Sequence, residues 1–231
     1  MPDPEAGASE PRAGPRRVVH CEDGVAWLAR ARLPADHAVV TSLPDVSELP
    51  SLGFDGWREW FVETAALACR AVADDAIAVF YQTDVKRDGR WVDKAHLVEL
   101  GLERAGSALL FHRIVCRVAP GAVTYGRPAY AHLLCASRAL RLAPSASSAD
   151  VIARAGEMTW ARAMPREACE AVARFLVAHT GCRTVVDPFC GAGTMLAVAN
   201  GHGLDAVGVE LSRKRAERAR RLRAIGAAFE G

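Results

Sequence analysis

The chain has 231 residues, of which 51% are hydrophobic and 24% charged, with a formal net charge of +2. That is enough apolar material to bury a substantial core in a single α/β unit, and the charge is too mild to name a partner. No apolar run approaches the length needed to cross a bilayer. Seven cysteines with no C-x-x-C pair and no Cys/His ligand spacing argue for reduced thiols in a cytoplasmic protein, with no metal site expected.

Residues 1–16, rich in Pro, Gly, Ala and Arg, read as a disordered leader, and residues 17–231 as one domain. Arg17 to His20 reads as a strand ended by Cys21-Glu22-Asp23. Gly24 to Arg32 reads as an amphipathic helix, and Asp36 to Thr41 as a second strand that runs into Ser42-Leu43-Pro44-Asp45. Phe54 to Val72 is a long helix, with Trp57, Trp60, Phe61, Thr64, Leu67 and Ala68 near helical spacing. Asp74-Asp75 ends it. Ala76 to Tyr81 is an apolar strand of the parallel kind.

The polar stretch Gln82 to Lys94 follows. It reads either as a solvated loop or as a surface whose Gln82, Asp84, Lys86, Arg87 and Lys94 bind a phosphate or a base edge. His96 to Ala105 resumes helix. Ala108 to Arg117 and Ala129 to Ser137 are strands joined by a loop carrying Pro120, Gly121, Gly126 and Pro128. Residues 138–164 link this first half, 17–137, to a second, 165–231, which opens with a helix from Pro165 to His179. His20, His96, His112 and His132 stand apart from one another in the sequence and read as structural.

In the second half, Thr184 to Val186 is a buried strand stopped by Asp187-Pro188. Gly191 and Gly193 permit a turn whose backbone can approach a ligand closely. Thr194 to Asn200 is a helix whose free amides, and the positive end of whose dipole, face whatever sits above that turn. Ala206 to Val209 is the next strand. Glu210 follows Asp187 at roughly the 20-residue distance that separates turn from ribose-binding acid in dinucleotide folds. A nicotinamide or flavin fingerprint would place a third glycine where Leu196 stands. The last helix, Arg213 to Gly226, is crowded with arginine, which suits a solvated face as well as a phosphate contact.

The string DPFCGAGT, Asp187 to Thr194, followed by VGVE, resembles motif I of S-adenosylmethionine-dependent methyltransferases that act on amino groups of nucleobases. The order of elements is similar to that of the circularly permuted, class β-like N4/N6 amino-methyltransferases, which place the catalytic half first and the cofactor half last. That resemblance implies a Rossmann-like doubly wound sheet, mostly parallel with a terminal antiparallel strand, and termini that lie near one another. It implies S-adenosyl-L-methionine held by Asp23, Asp187, Pro188, Phe189, Cys190, Gly191, Gly193, Thr194 and Glu210, with Asp23 favoured over Glu22 at the adenine amine.

The sequence Ser42-Leu43-Pro44-Asp45 stands where the family carries D/S-P-P-Y, so the resemblance implies an acceptor-side, catalytic role for Ser42, Pro44 and Asp45. Asp45 takes the place of the family's aromatic residue, which leaves Phe54, Trp57 or Trp91 to supply a ring. Asp45 then either accepts hydrogen bonds and a proton from the acceptor or caps its own loop. Only the 27 residues 138–164 separate the last strand of the first half from the next helix, too few for a recognition domain. On that ground RNA is favoured over DNA as the nucleic-acid partner, with a second copy of the chain or a recognition protein as further partners. A DNA methyltransferase, an S-adenosylmethionine-binding assembly factor and a small-molecule methyltransferase stand as alternatives.

Overall fold

The computed structural model describes residues 14–225 and 228–230. Most of the expected leader, and Gly226, lie outside the described residues. In chain order the elements are β1 (Arg17–His20), α1 (Gly24–Arg30), β2 (His37–Thr41), α2 (Gly53–Ala71), β3 (Ala78–Gln82), β4 (Val85–Arg87), β5 (Arg90–Val92), α3 (Lys94–Arg104) and β6 (Ala108–Cys116). They continue with β7 (Tyr130–Ser137), β8 (Val151–Ile152), α4 (Arg166–His179), β9 (Thr184–Asp187), α5 (Thr194–Gly201), β10 (Asp205–Val209), α6 (Arg213–Arg221), β11 (Arg223–Ile225) and β12 (Ala228–Glu230).

Eight strands form one sheet in the order β1-β10-β9-β2-β3-β7-β6-β8. All neighbouring pairs are parallel except β3 with β7 and β6 with β7. Strand β7 alone runs against the rest, and it lies inside the sheet rather than at its edge. The edge beyond it is closed by β8, two residues of the expected linker that pair in parallel with Ile114 and Val115.

The strands are apolar on both faces because both faces are covered. Along β2, Ala38 and Val40 join one core and Val39 the other. Along β3, Val79 and Tyr81 face one way, Ala78 and Phe80 the other. Helices α4, α5 and α6 pack on the first face, through Cys169, Val172, Phe175, Met195, Ala216 and Ala219. Helices α1, α2 and α3 pack on the second, through Leu28, Trp57, Phe61, Ala65, Leu97 and Val98. Helix α5 leaves β9 on one face and α2 follows β2 on the other. These two central strands therefore part at their carboxyl ends, the crevice where open sheets of this kind bind ligands.

Two expectations change. The polar stretch after β3 is not an irregular loop: β4 and β5 pair around Asp88 and Gly89, both at positive φ, the geometry that a two-residue hairpin turn requires. The last helix stops at Arg221, five residues before its expected end, and β11 and β12 pair beyond it. Leu222 is buried there, while the Arg17 guanidinium binds the carbonyls of Ala219 and Leu222. Those carbonyls are thus satisfied without a further helical turn.

Candidate active site

A cavity of about 220 Å³ opens at the carboxyl ends of β9, β10 and β2. Asp187 ends β9, buried, and its Oδ1 accepts from Thr41 Oγ1 at 2.7 Å and from the Phe189 amide at 3.1 Å. Burial pushes its pKa up to about 7, against the pull of those two hydrogen bonds and with the help of the nearby Glu210 charge. The turn that follows needs its glycines. Gly191 has φ 54° and Gly193 φ 87°, and a Cβ on Gly193 would lie 2.8 Å from the Ala219 Cα. Helix α5 and helix α6 can approach only because that Cβ is missing.

Glu210, at the end of β10, is buried, and its Oε1 accepts from the Ser212 amide at 2.7 Å and forms an ion pair with Arg215 at 2.8 Å. The Arg215 guanidinium also lies 5.6 Å from the centre of the Trp160 ring. Trp160 in turn covers the glycine turn, at 3.3 Å from where a Gly191 Cβ would stand. The segment is pinned beside α5 by a 2.6 Å hydrogen bond between the hydroxyls of Thr159 and Thr194. Asp23 lines the opposite wall and caps α1 by accepting from the Ala26 amide at 2.7 Å. The start of α1 packs so tightly that a Cβ on Gly24 would lie 2.2 Å from the Pro188 carbonyl.

A second cavity, of about 310 Å³, adjoins the first. Ser42, Leu43, Glu48, Arg162 and Ala163 line both, so the loop after β2 is the partition between them. Pro44 faces the first cavity and Asp45 the second. Gln82, Asp84 and Lys94 line the second, and Gln82 is buried there with no hydrogen-bond partner for its Nε2.

Comparison with solved structures identifies the architecture. The chain shares its fold with DNA methyltransferases. TTHA0409 of Thermus thermophilus, a candidate DNA modification methylase solved with S-adenosyl-L-methionine, superposes with a TM-score of 0.67 at 21% identity, covering 88% of this chain and 91% of that one. The cytosine-N4-specific PvuII DNA methyltransferase gives 0.68 at 13% identity, over 89% and 86% of the two chains. M1.HpyAVI in its S-adenosylmethionine complex gives 0.57 at 12%, over 89% and 97%. No protein-family profile matches the sequence, and no curated protein does.

Of the residues expected at a cofactor, Asp23, Asp187, Pro188, Phe189, Cys190, Gly191, Thr194 and Glu210 all line the first cavity, while Gly193 stands behind it against α6. Of those expected at an acceptor, Lys86 lies apart. It sits on the β4–β5 hairpin with its Nζ 4.8 Å from the centre of the Trp91 ring. Asp84 is engaged on both oxygens: Oδ1 accepts from the Lys94 amide at 2.8 Å, and Oδ2 from Trp91 Nε1 at 2.8 Å and His132 Nε2 at 2.9 Å. Burial alone would raise its pKa, but these donors hold it below the ordinary value.

Asp45 carries the features of a loop cap. It closes a capping box with Glu48 and pairs at 3.2 Å with the Lys94 ammonium, whose pKa burial pushes below the ordinary lysine value against the opposing pull of Asp45. None of the three rings expected to replace the missing aromatic lines either cavity. Trp57 is fully buried and donates to the Pro44 carbonyl at 3.1 Å, Phe54 stacks on it, and Trp91 is tied to Asp84. The ring that does line the second cavity is Tyr81, whose hydroxyl burial pushes up to about 12.

The sequence gives no sign of several groups the fold adds. Trp60, Trp160, Arg162 and Met164 line the first cavity from segments without a motif. The histidines His112 and His132, far apart in the chain, join Asp84 in a hydrogen-bonded line, 2.9 Å between the two ring nitrogens. The arginines of α6 divide: Arg215 serves Glu210, Arg218 the Thr159 carbonyl and Arg220 the Val19 carbonyl. These three hold the fold together, which weakens the case for α6 as a phosphate-binding face.

Proposed function

We propose that the protein is an S-adenosylmethionine-dependent methyltransferase acting on the exocyclic amine of a DNA base. The observation that carries this reading is the pair of adjoining cavities at the strand ends, with the loop that holds Ser42 and Pro44 between them. The first has the donor set that the cofactor asks for. Buried Glu210 suits a ribose, Asp23 an adenine amine, and the rings of Phe189, Trp60 and Trp160 the adenine and the sulfonium. When bound, the cofactor supplies an electrophilic methyl group.

The chain's own residues then have three tasks. The glycine turn and Trp160 keep the donor dry and fixed, because a single in-line displacement is accelerated by alignment rather than by a covalent intermediate. Ser42 orients the amine at the partition. Asp45, a third of its side chain exposed, takes the proton that the nitrogen releases as the new C–N bond forms, since a methylated amine cation is acidic enough to yield its proton to a carboxylate. Gln82 reads the base beside the amine, since its unpaired Nε2 can donate to a ring nitrogen.

A preference for RNA rests on the lack of room for a recognition domain. Two solved proteins named as DNA methylases weaken that ground: this chain spans 86% and 91% of their length, so proteins of comparable size bear that name. We therefore take DNA as the acceptor. Purified protein incubated with methyl-labelled S-adenosylmethionine and separate DNA and RNA pools from a strain lacking the gene is expected to label DNA. Label in RNA alone would overturn the acceptor, and label in neither would overturn the enzyme. Glu210→Ala is expected to abolish cofactor binding by calorimetry, and unchanged affinity would refute the assignment of the first cavity.

A further inference from the structure

The loop that joins β6 to β7, residues 117–129, contains no acidic residue and carries the most exposed large apolar side chains of the described residues. Tyr125 is 93% exposed and Val123 78%. A short turn presents the tyrosine: the Arg127 amide donates to the Tyr125 carbonyl at 3.0 Å, and Gly126 between them has φ 80°. A side chain held out this way by the backbone gains nothing from the fold that presents it.

The same loop borders the acceptor site. Arg117, Arg127 and Met158 line the second cavity and also an open groove of about 490 Å³ beside it, whose remaining walls are Val118, Thr124, Tyr125, Pro128, Ala155 and Gly156. Neither Arg117 nor Arg127 has a side-chain ion pair or hydrogen bond among the described residues, unlike Arg215, Arg218 and Arg220 of α6. The groove holds no carboxylate, so two guanidinium groups without an ion pair and an exposed ring border the second cavity together.

We propose that this loop is the surface that meets duplex DNA, with Tyr125 entering the gap that the target base leaves in the stack and Arg117 and Arg127 holding the flanking phosphates. The inference rests on the reading of the second cavity as the acceptor site. A base can reach a cavity closed by protein only by leaving its helix, which unpairs and unstacks it. An aromatic ring in the vacated space restores one stack, and guanidinium groups neutralise phosphates without reading sequence. The loop thus supplies DNA contact that the short segment after β7 has no room to build.

The test uses fluorescence anisotropy of the full chain on labelled 20-base-pair duplexes, intact or with one abasic site, over a series of salt concentrations. The wild-type protein is expected to bind the abasic DNA duplex about tenfold more tightly than the intact one, the worth of one base–aromatic stack. Tyr125→Ala removes that preference and Tyr125→Trp keeps it, with the thermal midpoint of both unchanged because the side chain is exposed. Arg127→Ala weakens binding to both duplexes and lowers the salt slope by about one.

A preference that survives in Tyr125→Ala, an unchanged slope in Arg127→Ala, or a Tyr125-dependent preference for duplex RNA over DNA overturns the proposal. Methyl transfer assayed in parallel separates the two readings. Tyr125-dependent binding without transfer refutes the enzyme and leaves the loop standing, whereas transfer to DNA that is indifferent to Tyr125 refutes the loop alone.

Discussion

Asp187 shows how burial at one residue becomes a property of the whole protein. Its pKa of about 7 lies above the ordinary 3.8, so between those values the folded chain binds a proton that the unfolded chain does not. The resulting stability is fully present below about pH 4 and is lost as pH rises through about 7. Asp187→Asn removes that slope. The thermal midpoint of the variant relative to wild type should rise between about pH 5 and about pH 8, and a constant difference would refute the account. Gln82 makes the complementary case, a buried group that the fold leaves unsatisfied. An unpaired donor costs about 1–3 kcal/mol, so Gln82→Met should hold or raise stability. It should also lower kcat/KM for DNA by about tenfold or more, the worth of a good base-edge pair. Reduced activity with an equally reduced midpoint would mark Gln82 as structural instead.

At the scale of elements, the apolar stripe of α2 is legible because its residues recur at helical spacing, and the structure buries Trp57, Phe61, Thr64 and Ala68 of it. What that stripe packs on is not legible. Helix α3 crosses α2 at Gly101, where an added Cβ would lie 2.6 Å from the Ala65 Cβ and 2.7 Å from the Val62 carbonyl. Gly101→Ala should therefore destabilise the protein by about 1–3 kcal/mol, measured by urea unfolding, although alanine is the better helix former. A neutral or stabilising result would mean that the two helices separate freely. The hairpin β4–β5 carries a readable signal in Asp88-Gly89, but the charge around it equally suits a solvated loop. Strand β8 has none, because two residues have no periodicity and pair only where β6 offers an edge.

At the scale of the molecule, β1 lies beside β10 at one edge of the sheet, and Arg17 fastens that edge to α5 and to the end of α6. Arg17 donates from Nε to Asn200 at 2.8 Å and from its terminal nitrogens to the carbonyls of Ala219, Leu222 and Leu196. Arg17→Met is expected to cost about 1.5–3 kcal/mol, the range for hydrogen bonds to a charged group, and to expose residues 213–225 to limited proteolysis before the rest unfolds. Protection equal to wild type would show that α6 docks without it. This closure brings Glu210 and Arg215 against the glycine turn, so the first cavity depends on residues from both ends of the chain.

The strand–turn–helix at Asp187 to Gly201, and the acid after the next strand, are legible in the chain alone because those features are local: a turn needs glycine at positive φ within a few residues of the strand it ends. The alternation of buried runs with helical stripes likewise points to the doubly wound class. What stands opposite the turn follows from the folded arrangement and from nothing less. Trp160 over the turn, Tyr81 in the second cavity, Lys94 beside Asp45 and the Asp84–His132–His112 line come from segments brought together by the sheet order. Such contacts leave no spacing in the chain. They depend on which strands are neighbours, and that is set by burying both faces of one sheet at once.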